Sequence, residues 1–233
     1  MMSDVKVAIL FLSLSLRALA DLAAGQVALK NGDYAAAIKE FLPLANQGDA
    51  VAQGNLAFLY AEGKGVPQDY KEAAKWYLLA AVQGQVAAQY NLGLMYSNGR
   101  GVPQDNKEAV RWYGLAAEQG DQSAKLQLGV IYLQGHYGVA QDYKEAMRWF
   151  RSSADQRNTK AMYFVGVAYC LGQGVPQDYK EAVRWYSLAA DRGLEIAQTS
   201  LGSMYVQGLG ACGKKWVFLD AGLQKCTRGE LIK

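Results

Sequence analysis

Gly101-Val102-Pro103-Gln104-Asp105-Asn106-Lys107-Glu108-Ala109-Val110-Arg111-Trp112-Tyr113 is the stretch on which the reading of this chain turns. The same phrase returns from Gly65 to Tyr77, from Gly138 to Phe150 and from Gly174 to Tyr186. Its tryptophans, Trp76, Trp112, Trp149 and Trp185, lie 36, 37 and 36 residues apart. A phrase recurring at a period of this size marks a repeat array in which neighbouring units share one core. The 233 residues, 51% hydrophobic and 19% charged, therefore count as one elongated domain and not as a disordered chain.

The phrase itself predicts the start of a helix. Asp69 and Glu72, Asp105 and Glu108, Asp142 and Glu145, and Asp178 and Glu181 are each three apart, as a capping box requires. In such a box the Asp accepts from the first-turn backbone and the Glu reaches back to the N-cap N–H. Pro67, Pro103 and Pro176 hold the preceding residues out of helix. The third unit departs, with an extra residue in Gly135-His136-Tyr137-Gly138 and Ala140 in place of Pro.

An earlier helix in each unit is marked by an apolar stripe such as Ala88, Leu92, Met95 and Tyr96. Gly93, Gly129, Gly166 and Gly202 recur inside it, with Ala57 in the first unit. A mid-helix Gly costs about 1 kcal/mol relative to Ala, so its recurrence predicts a neighbouring backbone or ring packed against it. Gly63, Gly99, Gly135, Gly172 and Gly208 stop this helix. Gly84, Gly120 and Gly193 end the second helix. Arg157 stands at the equivalent place in the third unit and predicts a distorted turn there. The four tryptophans are expected in the core, and Tyr60, Tyr96, Tyr132, Tyr169 and Tyr205 form a second ladder.

The ends read differently. Val7 to Leu16 is an uncharged, mostly apolar run, followed by Arg17-Ala18-Leu19-Ala20. This is the layout of a secretory leader cut after Ala20, and ten residues are too few to span a bilayer. The expected divisions are a leader over 1–20, a degenerate first repeat over 21–48, the array over 49–210 and a divergent tail over 211–233. Trp216 would fit the tryptophan ladder on a shortened final helix. Cys170 is expected as a small apolar packer, and Cys212 and Cys226 could pair in an oxidising compartment.

Leu92-Gly93-Leu94-Met95-Tyr96, Gly99-Arg100-Gly101-Val102-Pro103-Gln104-Asp105, Glu108-Ala109, Trp112-Tyr113 and Ala116-Ala117 together resemble the Sel1-like repeat family. The resemblance covers roughly residues 49 to 210. It implies an all-α fold, a right-handed α/α solenoid of tetratricopeptide-like helix pairs, and an adaptor that holds other proteins. The family's ligand-facing positions on the concave side correspond here to Phe58 and Glu62, to Tyr90, Leu94 and Asn98, to Leu126 and Gln134, to Tyr163, and to Gln207. That set is apolar and aromatic with scattered amides, which suits a peptide or protein segment.

Catalysis finds little footing. The chain has one histidine, His136, and no Cys/His cluster at metal-ligand spacing, so neither metal nor cofactor is expected. The Gly-x-Gly loops follow no strand and precede no Gly-Lys-Ser/Thr, so they are not phosphate cradles. A formal net charge of +3 without basic runs interleaved with aromatics gives no nucleic-acid signature. Pairs such as Lys71/Lys75 and Lys107/Arg111 recur on each second helix and read as a solvated face. The expectation is therefore a non-catalytic scaffold, exported to the periplasm or beyond, with no stable membrane span in the mature chain; the alternative location is the cytoplasm, with the apolar N-terminus as a cap on the array. The alternative is a β-lactamase or penicillin-binding protein of the family's cysteine-rich branch. Against it, Ser-x-x-Lys occurs only at Ser3–Lys6, inside the leader.

Overall fold

A computed structural model describes residues 2–135, 138–209, 216–219 and 222–225, with side chains for residues 15–135 and 138–209. His136, Cys212, Cys226 and the Trp216 side chain lie outside the described residues. The helices come in pairs. They are α1 (Met2–Lys30) with α2 (Tyr34–Asn46), α3 (Ala50–Glu62) with α4 (Tyr70–Val82), α5 (Val86–Asn98) with α6 (Asn106–Glu118), α7 (Gln122–Gln134) with α8 (Tyr143–Asp155), and α9 (Thr159–Leu171) with α10 (Tyr179–Ala190). Helix α11 (Glu195–Val206) follows, then strands β1 (Trp216–Leu219) and β2 (Gly222–Lys225). The chain divides into two compact units, residues 1–119 and residues 120–233. Within each, a helix packs more extensively on the partner in its own pair than on the next pair.

The loop phrase builds every pair by the same bonds. Gly63, Gly99, Gly135 and Gly172 take the left-handed conformation, with φ of 65°, 65°, 63° and 70°, and end the first helices. The loop glutamine then donates to a carbonyl of the helix just ended: Gln68 to Ala61, Gln104 to Ser97, Gln141 to Leu133 and Gln177 to Cys170, each at 2.8 Å. The extra residue and Ala140 of the third unit leave this bond in place. The second Gly of Gly-x-Gly has another duty. A Cβ on Gly101 would collide with the carbonyl oxygen of Tyr70 on the preceding α4, and one on Gly174 with that of Tyr143 on α8.

Half of the expected capping box is present. The carboxylates of Asp69, Asp105, Asp142 and Asp178 each accept from two first-turn amides. The glutamates do not reach back, because the N-cap N–H is already taken. Asp69 donates to Tyr60 O at 3.0 Å, and Asp105, Asp142 and Asp178 donate to Tyr96, Tyr132 and Tyr169 O at 2.9 Å. The ladder tyrosines thus tie the two helices of a pair through their backbones. Freed of that role, Glu72, Glu108, Glu145 and Glu181 pair with Lys75, Arg111, Arg148 and Arg184 one turn on.

Rings fill the space left by the mid-helix glycines. A Cβ on Gly93 would stand 2.7 Å from the Tyr113 ring, on Gly129 2.5 Å from Phe150, and on Gly166 2.7 Å from Tyr186. Gly25 on α1 meets Phe41 in the same way, at 2.5 Å. The residue after each Trp therefore covers its own partner helix. The Trp looks the other way: Trp112 is buried in the cluster formed by the α3–α5 region, and Trp76 packs on that of α2 and α3. Trp112 and Trp185 are buried as expected, but Trp76 and Trp149 are only half-buried.

Two further expectations change. Arg157 adopts φ 69°, close to the 83–97° of Gly84, Gly120 and Gly193, so the turn keeps its shape and the side chain bears the strain. Trp216 lies on a strand rather than a final helix, with β1 and β2 antiparallel and Trp216 opposite Lys225. Trp216-Val217-Phe218 favours extended backbone and has no capping Asp before it.

Candidate partner-binding faces

The site residues expected from the sequence fall on the first helices of each pair, in both units. In residues 1–119, Phe58 and Glu62 lie on α3, and Tyr90, Leu94 and Asn98 on α5. Phe58 is half-buried beneath the Lys64 ammonium, 4.8 Å from the ring centroid. Tyr90 is half-buried against Tyr113, with centroids 5.8 Å apart. Asn98 is exposed, and its Nδ2 donates to Leu94 O at 2.9 Å, which leaves its oxygen and a second N–H free. Glu62 is exposed and forms no ion pair among the described residues.

In residues 120–233, Leu126 and Gln134 lie on α7 and Tyr163 on α9. Gln207 is the C-cap of α11, and its Nε2 donates to Ser203 Oγ at 2.9 Å. Leu126 and Tyr163 are partly buried against the α8–α9 cluster. Tyr163 also lies 5.6 Å from both Phe164 and Tyr186. With Val130, Val167 and the 59% exposed Leu171 they line an apolar stripe free of acidic side chains.

Asn55 on α3, Asn91 on α5 and Gln127 on α7 were missed by the sequence reading. They occupy one position in three successive units, half-buried, and their amides make no hydrogen bond among the described residues. The 36-residue phase alone could have found them. Among the other buried amides, Gln85 Oε1 and Asn106 Oδ1 have no partner among the described residues, whereas two glutamines are bonded. Gln53 and Gln89 donate to Ala45 and Ala81 O and accept from Gln83 and Gln119 at 2.8 Å. Lys125 takes that place on α7, and the Gln156 amide oxygen accepts from its Nζ at 2.8 Å.

The basic ridge is locally neutralised. The Glu72 carboxylate bonded to Lys75 holds that ammonium above its usual pKa. The Arg148 guanidinium holds Glu145 below the usual carboxylate range, and Arg148 also lies 4.1 Å over the Trp149 ring. Burial pushes the hydroxyls of Tyr77, Tyr113 and Tyr186 upward, which keeps them neutral. Among the described residues no group of three His, Cys, Asp or Glu could hold a metal ion, and no helix is long and apolar enough to cross a membrane.

Comparison with known proteins agrees with this architecture. The family model described as Sel1 repeat matches residues 50–85, 86–121, 122–158, 159–194 and 196–215. A Sel1 repeat protein from Oxalobacter formigenes is 34% identical, with a TM-score of 0.77 over 82% of this chain and 78% of that one. The c5321 protective antigen of uropathogenic Escherichia coli, of SLR fold, is 38% identical with a TM-score of 0.79. That match covers 84% of this chain but 42% of the antigen, so the chain spans less than half the antigen's length. No curated protein matches. Sel1 repeats are protein-interaction modules, and their fold is typically a non-catalytic scaffold. With its repeats matched over more than half its length, the chain belongs to the Sel1 repeat family.

Proposed function

We propose that the chain is a non-catalytic scaffold that holds a peptide or protein segment on the exposed faces of its first helices. The observation carrying this reading is the set of half-buried amides, Asn55, Asn91 and Gln127, that have no partner inside the described chain. Asn91 and Gln127 stand beside the anchors Tyr90 and Leu126, and Asn55 stands about one helical turn before Phe58. Amides of this kind can bond a peptide backbone, and Phe58, Tyr90, Leu94, Leu126 and Tyr163 offer apolar contacts beside them. Glu62, Asn98, Gln134 and Gln207 supply polar groups at the ends of the same helices.

The reading includes export, with the leader cut after Ala20. Packing along α1 supports it: Leu16 and Leu19 are exposed, whereas Leu22, Ala28 and Leu29 pack on α2 and Gly25 lies beneath Phe41. Among the described side chains, Ala18 is the one packed residue that a cut there removes. Mass measurement of the protein isolated from its native cell should give an N-terminus at Asp21. An uncut Met1 would end the export reading.

The binding experiment compares partners captured by the intact chain and by a Tyr90→Ala/Asn91→Ala/Tyr163→Ala variant whose circular dichroism is unchanged. Partners held by the intact chain and lost by the variant support these faces. Equal capture by both would move the binding surface elsewhere.

A further inference from the structure

Helix α11 is built as a first helix, but no second helix follows it among the described residues. Gly202 stands in phase with Gly93, Gly129 and Gly166, and Gly208, at φ 70°, ends the helix as Gly172 ends α9. The fifth family match then stops at residue 215, about half a repeat on.

In the pair before, α10 shows what lies on this side of a first helix. Tyr186 covers Gly166, stands 5.6 Å from the Tyr163 ring and shares a cluster with Cys170. Tyr163, Gly166 and Cys170 correspond on α11 to Thr199, Gly202 and Val206, spaced three and four apart on one helix face. Val206 is 76% exposed, whereas its counterparts Ala61, Ser97, Leu133 and Cys170 are all half-buried. Thr199 is likewise exposed where Tyr90, Leu126 and Tyr163 are half-buried. The side of α11 that the other first helices turn toward a ring is therefore open at both ends.

We propose that β1, Trp216-Val217-Phe218-Leu219, closes the array by setting Phe218 on the Thr199–Gly202–Val206 side of α11. Spacing along the chain favours this occupant. In the first pair Phe41 covers Gly25 from sixteen residues further on, not the twenty or twenty-one of the later pairs, and Phe218 lies sixteen residues after Gly202. The reach is sufficient. Residues 210–215 span about 20 Å when extended, and Gly202 lies only about 9 Å back along the helix from Gly208. The hairpin needs the contact as much as α11 does. Two strands alone are marginally stable in water and gain stability by packing on a helix, and β1 is apolar throughout. So short a tether holds β1 beside α11 at an effective concentration on the order of millimolar, which a second copy or a foreign chain would have to exceed.

Hydrogen exchange of the full chain, at low and at high micromolar concentration, tests this. The expected result is that Phe218→Ser speeds exchange of the Gly202–Val206 amides at least about tenfold and leaves α3–α9 unchanged, equally at both concentrations. Val206→Ser should have the same local effect, and Phe218→Ser/Val206→Ser should add little to either change alone, because the two residues share one contact. Exchange of α11 indifferent to Phe218→Ser overturns the proposal, as do fully additive effects of the two changes. Acceleration spread evenly over all helices overturns it too, by placing Phe218 elsewhere. Protection of α11 that rises with protein concentration assigns this side to a second copy and overturns it as well.

Discussion

Residues 1–119 and 120–233 are built from the same helix pair, yet their exceptions fall in different places. Where a side chain meets another helix of its own pair, the two units agree: Gly93 under Tyr113 and Gly129 under Phe150 are one contact made twice. Where it meets solvent they diverge, with Leu78 and Val82 in one unit against Arg151 and Asp155 in the other. Charge follows suit: residues 1–119 hold ten Lys and Arg against eleven Asp and Glu, residues 120–233 fourteen against ten. Packing constrains the first class of position to a volume. The second class is left for recognition, and there the two units differ in what they could bind.

The severest way to break the likeness is to remove a tryptophan. Trp112→Ala, at a fully buried site, should cost about 3–5 kcal/mol. Trp149→Ala, at a half-buried one, should cost about half as much. Urea unfolding of each variant measures both, and equal losses would show that burial does not set the tryptophan's worth.

Gly93→Ala and Gly129→Ala come next. Each places a methyl group within 2.7 Å of a buried ring that cannot step aside. Overpacking of this kind costs about 1–3 kcal/mol, partly offset by alanine's better helix propensity. The tighter Gly129 site should lose more. A stabilised variant at either site would refute the ring-over-glycine contact.

Each unit also has a weak point that a single change can mend, and mending it should sharpen the agreement. Gln85 is the N-cap of α5 but makes no side-chain cap bond, unlike Asp49 and Asp121. Gln85→Asp should raise stability by about 1 kcal/mol. Arg157→Gly should gain about 1 kcal/mol by relieving a positive φ. Thermal unfolding reads both changes, and a loss in either would contradict the geometry.

The smallest effect at neutral pH appears in alkali. Tyr77, Tyr113 and Tyr186 have hydroxyl pKa values raised above 10 by burial. Each contribution is fully present below about pH 10 and is lost as pH rises toward the folded value. The first unit holds two such groups and the second one, since Phe150 cannot ionise. Tyr113→Phe should flatten the decline of the unfolding midpoint above about pH 10 and leave it nearly unchanged at pH 7. An unchanged alkaline slope would show that Tyr113 is not protected by burial.

Much of this was legible in the phrase around Trp112. The helix stops, the Asp caps and the glycines beneath rings each follow from a rule local to a few residues. The glutamates were misread because the competing acceptor, the carbonyl of Tyr60 or Tyr96, lies nine residues away on another helix. Asn55, Asn91 and Gln127 were invisible for a related reason: an amide looks the same in a sequence whether it is bonded or idle.

The sequence by itself determined the repeat, its period, its helix boundaries and the family, because backbone conformation answers to neighbours along the chain. Tertiary structure alone decided which ring covers its own pair and which reaches back to the one before. It also decided that the glutamates pair with Lys and Arg. These depend on the direction a side chain leaves its helix and on what another helix has already bonded or filled. Neither quantity is written in the order of the residues.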